Sequence, residues 1–95
     1  MNIKQLHTAE KAVSANALFK SEMGNATAIQ IQKGEKLKAH TTKTPALLIC
    51  IEGIAIFENE KGIKETLNPG DYVLIEPAVM HWVEGLELSQ LVLFK

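Results

Sequence analysis

The sequence predicts an all-β domain, two facing antiparallel sheets closed into a barrel of the jelly-roll kind. Three observations carry this reading. Glycine, proline and asparagine clusters punctuate the chain at near-regular intervals. The segments between them are short, apolar and β-branched, and no stretch after residue 17 keeps a 3.6-residue period. Ninety-five residues, 46% of them apolar and 22% charged, make one small folded domain, residues 1–95, and leave no room for a second.

The first twenty residues carry the weakest pattern. Residues 8–13 read as a helical turn with Thr8 as its cap. Residues 17–23 then read as a strand, Gly24-Asn25 as a hairpin turn, and residues 26–32 as the returning strand, closed by Gly34. Residues 37–42 form a short polar strand, and residues 46–51 an unbroken apolar one. After Glu52-Gly53 come strands at 54–58 and 63–67, joined by the turn at 59–62. Asn68-Pro69-Gly70-Asp71 is the strongest turn signal, because proline presets one backbone angle and glycine supplies the unusual one. Strands at 72–75, 81–84 and 88–94 complete the chain. Those at 46–51, 54–58 and 88–94 carry the longest apolar runs and are expected to be the most buried.

Charge excludes several function classes. Ten lysines face eleven acidic residues, for a net charge of −1, and the sequence contains no arginine. A nucleic-acid surface needs a basic excess, and a carboxylate or phosphate clamp is usually built on guanidinium. The single cysteine, Cys50, forms no intrachain disulfide and gives no reason to invoke an oxidising compartment. Residues 1–10 lack the apolar core of a signal peptide, and the longest apolar run, 46–51, is far short of a membrane span. The expectation is a soluble cytoplasmic protein that binds neither nucleic acid nor membrane. The run from Leu47 to Ile51 and the leucines at 86, 88, 91 and 93 are apolar on both strand faces. A homodimer is the expected way to cover the surplus.

Two histidines stand in patterned surroundings. His40 follows Gly34 by six residues, and Gly53 closes the next strand; His81 follows Gly70-Asp71 across a strand and the Pro77 turn. Here the sequence resembles the cupin superfamily, whose two motifs read G-x5-H-x-H-x3-E-x6-G and G-x5-P-x-G-x2-H-x3-N. Gly34, His40 and Gly53 fall on the first motif, and Gly70 and His81 on the second. The resemblance spans residues 34–85, just over half the chain, and implies a double-stranded β-helix.

The departures bear on function. In that superfamily two histidines and a glutamate of the first motif, with the histidine of the second, hold a divalent metal. In this chain the second histidine position is Thr42 and the glutamate position is Ala46; the asparagine position is Gly85, and the turn glycine is Ala78. His40 and His81 alone fall short of the three protein ligands of a catalytic zinc or a facial-triad iron. If the resemblance sets the register, Ala46, Leu48 and Cys50 point inward, so Cys50 is one candidate for a replacement ligand. A small buried hydrophobe is its other reading.

The implied activity is binding of a small, mostly neutral molecule in the barrel, with His40, His81 and Thr42 as its polar contacts. One alternative is a metal-dependent enzyme of the oxygenase or isomerase type, holding zinc, iron, manganese or nickel on His40 and His81. Another is a non-catalytic dimeric subunit. Trp82 should face away from His81, toward the second sheet or a partner. Glu76, ending its strand before Pro77, reads as a surface carboxylate or a group at the barrel mouth. His7 carries no pattern.

Overall fold

Alternation of apolar and polar residues decides which face of each strand turns inward, and the register then decides which side chains meet. The computed structural model describes residues 1–95 as a short 3-10 turn, Ile3–Leu6, and nine strands. These are β1 (Val13–Ser21), β2 (Gly24–Ile31), β3 (Lys36–His40), β4 (Ala46–Glu52), β5 (Ala55–Asn59), β6 (Lys64–Leu67), β7 (Tyr72–Ile75), β8 (His81–Gly85) and β9 (Ser89–Phe94). They form a five-stranded sheet of order β1-β2-β9-β4-β7 and a four-stranded sheet of order β3-β8-β5-β6. Every strand pair is antiparallel.

The core lies between the sheets. Ile29, Ile31, Leu48, Cys50, Leu91 and Leu93 come from the larger sheet, and Ala55, Phe57, Leu67 and Val83 from the smaller. In β4 the inward positions are Ala46, Leu48 and Cys50, all buried, while Leu47 and Ile49 are partly exposed on the outer side. The 68–71 turn forms as its residues predict: Gly70 takes a left-handed φ of +93° and the Asp71 amide donates to the Asn68 carbonyl at 2.8 Å.

The N-terminal third departs from the sequence expectation. The helical turn lies at Ile3–Leu6, capped by Asn2 rather than Thr8, and Gln5 returns a side-chain bond to the Asn2 amide. The first strand begins at Val13, four residues early. Its hairpin turns at Glu22-Met23, because Ser21 pairs with Gly24 and both Gly24 and Asn25 already belong to the ladder. A bulge between Ala17 and Phe19 breaks the period-two pattern that would have marked this strand. Burial also differs. β9 is buried along nearly its whole length, but β2 rivals it, and β4 and β5 are buried mainly on their inward side.

The reason for the burial of β2 lies outside the barrel. The N-terminal segment folds back over one end of the outer face of the five-stranded sheet. Asn16 Nδ2 donates to the Leu6 carbonyl at 2.7 Å, Gln30 Nε2 to the Thr8 carbonyl at 3.2 Å, and Lys4 pairs with Glu52. Beneath it, Gln90 Nε2 donates to Gln30 Oε1 at 2.7 Å and the His7 ring meets the Ser14 hydroxyl at 2.7 Å. His7, without a pattern in the sequence, is thus part of a polar layer that ties this segment to the sheet.

Candidate functional site

His40 ends β3 and His81 begins β8, and the two strands pair so that these residues lie directly opposite each other. Cross-strand partners share a face. The ring centroids are 4.3 Å apart with the planes tilted by 57°. Forty-one positions of sequence are closed by one register. His81 is only 2% exposed, and its other side lies on Phe57, with ring centroids 5.7 Å apart and planes 28° apart. His40 is half-buried and lines an open cleft of about 560 Å³ beside the start of β1, with Val13, Leu37 and Lys38.

Both rings are tethered in the same way. His40 Nδ1 lies 2.9 Å from the Lys38 carbonyl and His81 Nδ1 lies 3.1 Å from the Val79 carbonyl, in each case two residues back along the chain. A carbonyl oxygen can only accept, so each neutral ring carries its proton on Nδ1 and presents Nε2 as a lone pair. Burial pushes the His81 pKa below its usual value; the neighbouring His40 and, more weakly, Lys95 push the same way, and the Val79 carbonyl opposes them. The site therefore favours a neutral His81.

The loops around the pair are joined. Ala78 N–H donates to the Thr42 carbonyl at 2.9 Å, linking the β3–β4 loop to the β7–β8 turn. Ala78 sits at φ +63° on the position where the motif has glycine, so the turn keeps its left-handed backbone at a cost of about 1 kcal/mol without the residue that favours it. Thr42 is buried, and its hydroxyl donates to the Thr44 carbonyl at 2.9 Å. Its proton is committed within its own loop and its oxygen keeps lone pairs.

Cys50 does not join the histidines. No three His, Cys, Asp or Glu side chains come together in a group that could hold a metal. Cys50 lies four residues beyond Ala46 along β4, about 13 Å at the rise of a strand. Its thiol is fully buried and directed at the Glu52 and Gly53 carbonyls, at 3.5 and 3.7 Å. Burial is the first cause that raises its pKa, aided by Asp71 and opposed by the Glu52 carbonyl. Cys50 is a small core residue whose thiol is turned to backbone carbonyls.

The donor set does not fit the metal site that the cupin resemblance implies. Two imidazoles are present, the third position offers a neutral hydroxyl in place of an imidazole, thiolate or carboxylate, and the fourth is the Ala46 methyl in the core. Of the other candidates, Trp82 turns outward as its parity predicts, and its Nε1 donates to Glu58 Oε2 at 2.7 Å. Glu76 is exposed and bonded to Lys61, so the surface reading holds. Phe57 was not singled out in the sequence. Its inward parity in the 54–58 strand was readable, but its place under His81 needed the β5–β8 pairing.

No family model matches the chain, and no curated protein matches it in sequence. Solved structures do share its fold. A cupin superfamily protein from Desulfitobacterium hafniense superposes with a TM-score of 0.85 over 98% of this chain and 84% of that one, at 17% identity. An RmlC-like cupin from Shewanella frigidimarina gives 0.81 over 96% and 83%, at 18% identity. KdgF from Halomonas sp. gives 0.77 over 93% and 83%, at 21% identity. The fold is that of a small cupin domain. No helix is long and apolar enough to cross a membrane.

Proposed function

We propose that this domain binds a small, mostly neutral molecule at the mouth of the barrel, with His40 and His81 as its polar anchors and Thr42 as an accepting oxygen on the adjoining loop. The observation that carries the reading is the pair of Nδ1–H tethers, which leave two Nε2 lone pairs on rings 4.3 Å apart. Such a pair accepts hydrogen bonds from a guest's O–H or N–H groups. Phe57 lies behind His81 and Leu37 beside His40, while the charged residues lining the cleft at His40, Glu35, Lys36 and Lys38, are of both signs and include no arginine to clamp an anion. The open cleft beside β1 is lined by His40 and by neither His81 nor Thr42, so a guest entering from that side meets His40 first. Fold does not choose among the activities cupins host, so the reading rests on these side chains.

The metal-dependent alternative uses the same two lone pairs, since ligating histidines commonly tie Nδ1–H to a carbonyl. One experiment separates the two readings: native mass spectrometry with elemental analysis on untagged protein purified without chelator. The expected result is an organic adduct that is lost in His40→Ala and His81→Ala, with metal well below one per chain. Zinc, iron, manganese or nickel at one per chain, retained through dialysis against chelator, would overturn the reading in favour of an enzyme site.

A further inference from the structure

We infer that the outer face of the five-stranded sheet is a two-fold interface between copies of this chain, centred on Phe19, Phe94, Leu47 and Leu74. This proposal is independent of the histidine pair. The register builds the surface. Phe19 pairs with Ala26, Ala26 with Phe94, Phe94 with Leu47, and Leu47 with Leu74, so one row of apolar side chains crosses all five strands on one face. The neighbouring row runs Asn16, Ala28, Val92, Ile49, Tyr72. Neither row contains a charged residue. The N-terminal segment covers the polar end of the same face, at Ser14, Gln30 and Gln90, through its bonds to Asn16 and Gln30 and the Lys4–Glu52 pair. It leaves the apolar end open. Leu74 is 73% exposed, Phe19 63%, Tyr72 60% and Phe94 46%.

The area matches a second copy of the chain. Taking about 200 Å² for each large side chain, these four leave roughly 500 Å² exposed per copy. Two copies would bury roughly 1,000 Å² from these residues alone, the size at which specific interfaces begin, and the half-buried Leu47 and Ile49 extend it. An uncharged apolar row that crosses a whole sheet can oppose its own copy about a two-fold axis, as an isologous contact requires. Two twisted sheets pack face to face in this way at about 30° between strand directions.

Sedimentation equilibrium of the untagged protein at micromolar concentration tests the proposal. The wild-type chain should run at twice its 10.5 kDa mass. Leu74→Glu on β7 and Phe19→Glu on β1, both well exposed and on opposite edges of the sheet, should each weaken association roughly 100-fold or more. Each would bring an unpaired carboxylate from both copies into an apolar contact. Far-UV circular dichroism should stay at the wild-type spectrum. Ile63→Glu, exposed on the turn between β5 and β6, should leave the dimer intact. A wild-type mass of one chain, or a dimer that survives both sheet-face substitutions, would overturn the proposal. So would a monomer whose apolar face instead binds phosphatidylcholine vesicles.

Discussion

Replacing Gly53 by alanine is expected to cost the fold about 2–4 kcal/mol, the largest loss from an added methyl group at any of the six glycines. Gly53 sits just after β4 at φ +86°, where an L side chain costs about 1 kcal/mol. An added Cβ would also run into the Leu88 carbonyl oxygen and lie 2.7 Å from Ser89 Oγ and 2.8 Å from Ser89 Cα. Two of these are backbone atoms, so no rotamer change relieves the overlap, and overpacking adds about 1–3 kcal/mol. A domain of this size has about 5–15 kcal/mol in total, so the variant should be far less stable in urea. Gly62 provides the control. It has a similar φ of +87° with nothing within 4 Å of its Cβ position, so Gly62→Ala should lose about 1 kcal/mol only. Equal midpoints for the two variants would show that the close approach at Gly53 does not constrain the fold.

Acidification should destabilise the protein through its buried histidines. The folded pKa of His81 lies below its ordinary value of 6.5, chiefly through burial, and burial lowers His7 as well. The unfolded chain therefore takes up protons first as pH falls. The stability that each neutral ring contributes is complete above about pH 6.5, declines below it, and levels off once the pH passes the folded pKa. The slope is at most about 1.4 kcal/mol per pH unit for each ring. His40, 4.3 Å away, and Lys95 are the groups that further disfavour charge on His81. Urea midpoints should fall between about pH 7 and about pH 5.5, and His81→Gln should flatten that fall. A midpoint that rises on acidification would contradict the assignment of His81 as a neutral buried ring.

From β4 onward the fold was legible because its punctuation is chemical. Pro69-Gly70 can form little but a turn, and the glycines at 53 and 62 take the left-handed backbone that ends or reverses a strand. The first strand was misplaced for an equally physical reason. Most of β1 is exposed, so its side chains carry no alternation, and the bulge near Leu18 shifts the parity of what pattern there is. Gly24 looked like a turn residue yet pairs with Ser21 as an ordinary strand end. The burial of β2 on both faces depends on a segment some twenty residues upstream folding back, which no local pattern announces.

The candidate site was legible in part. The cupin resemblance carried by Gly34, His40, Gly70 and His81 implied that both histidines are polar contacts in the barrel. What the spacing could not show is the tautomer, which follows from where two local carbonyls point. Nor could it show that Cys50 and Thr42 direct their protons at backbone carbonyls. Those contacts turn a pair of leftover histidines into a pair of matched acceptors, and they separate Cys50 from it.

That tautomer is read directly by nitrogen-15 NMR of histidine-labelled protein at about pH 8.5, about two units above the ordinary histidine value. His40 and His81 should each show a pyrrole-like, protonated Nδ1 and a pyridine-like, unprotonated Nε2. A proton on Nε2 of either ring, or doubly protonated His81 at that pH, would contradict the account.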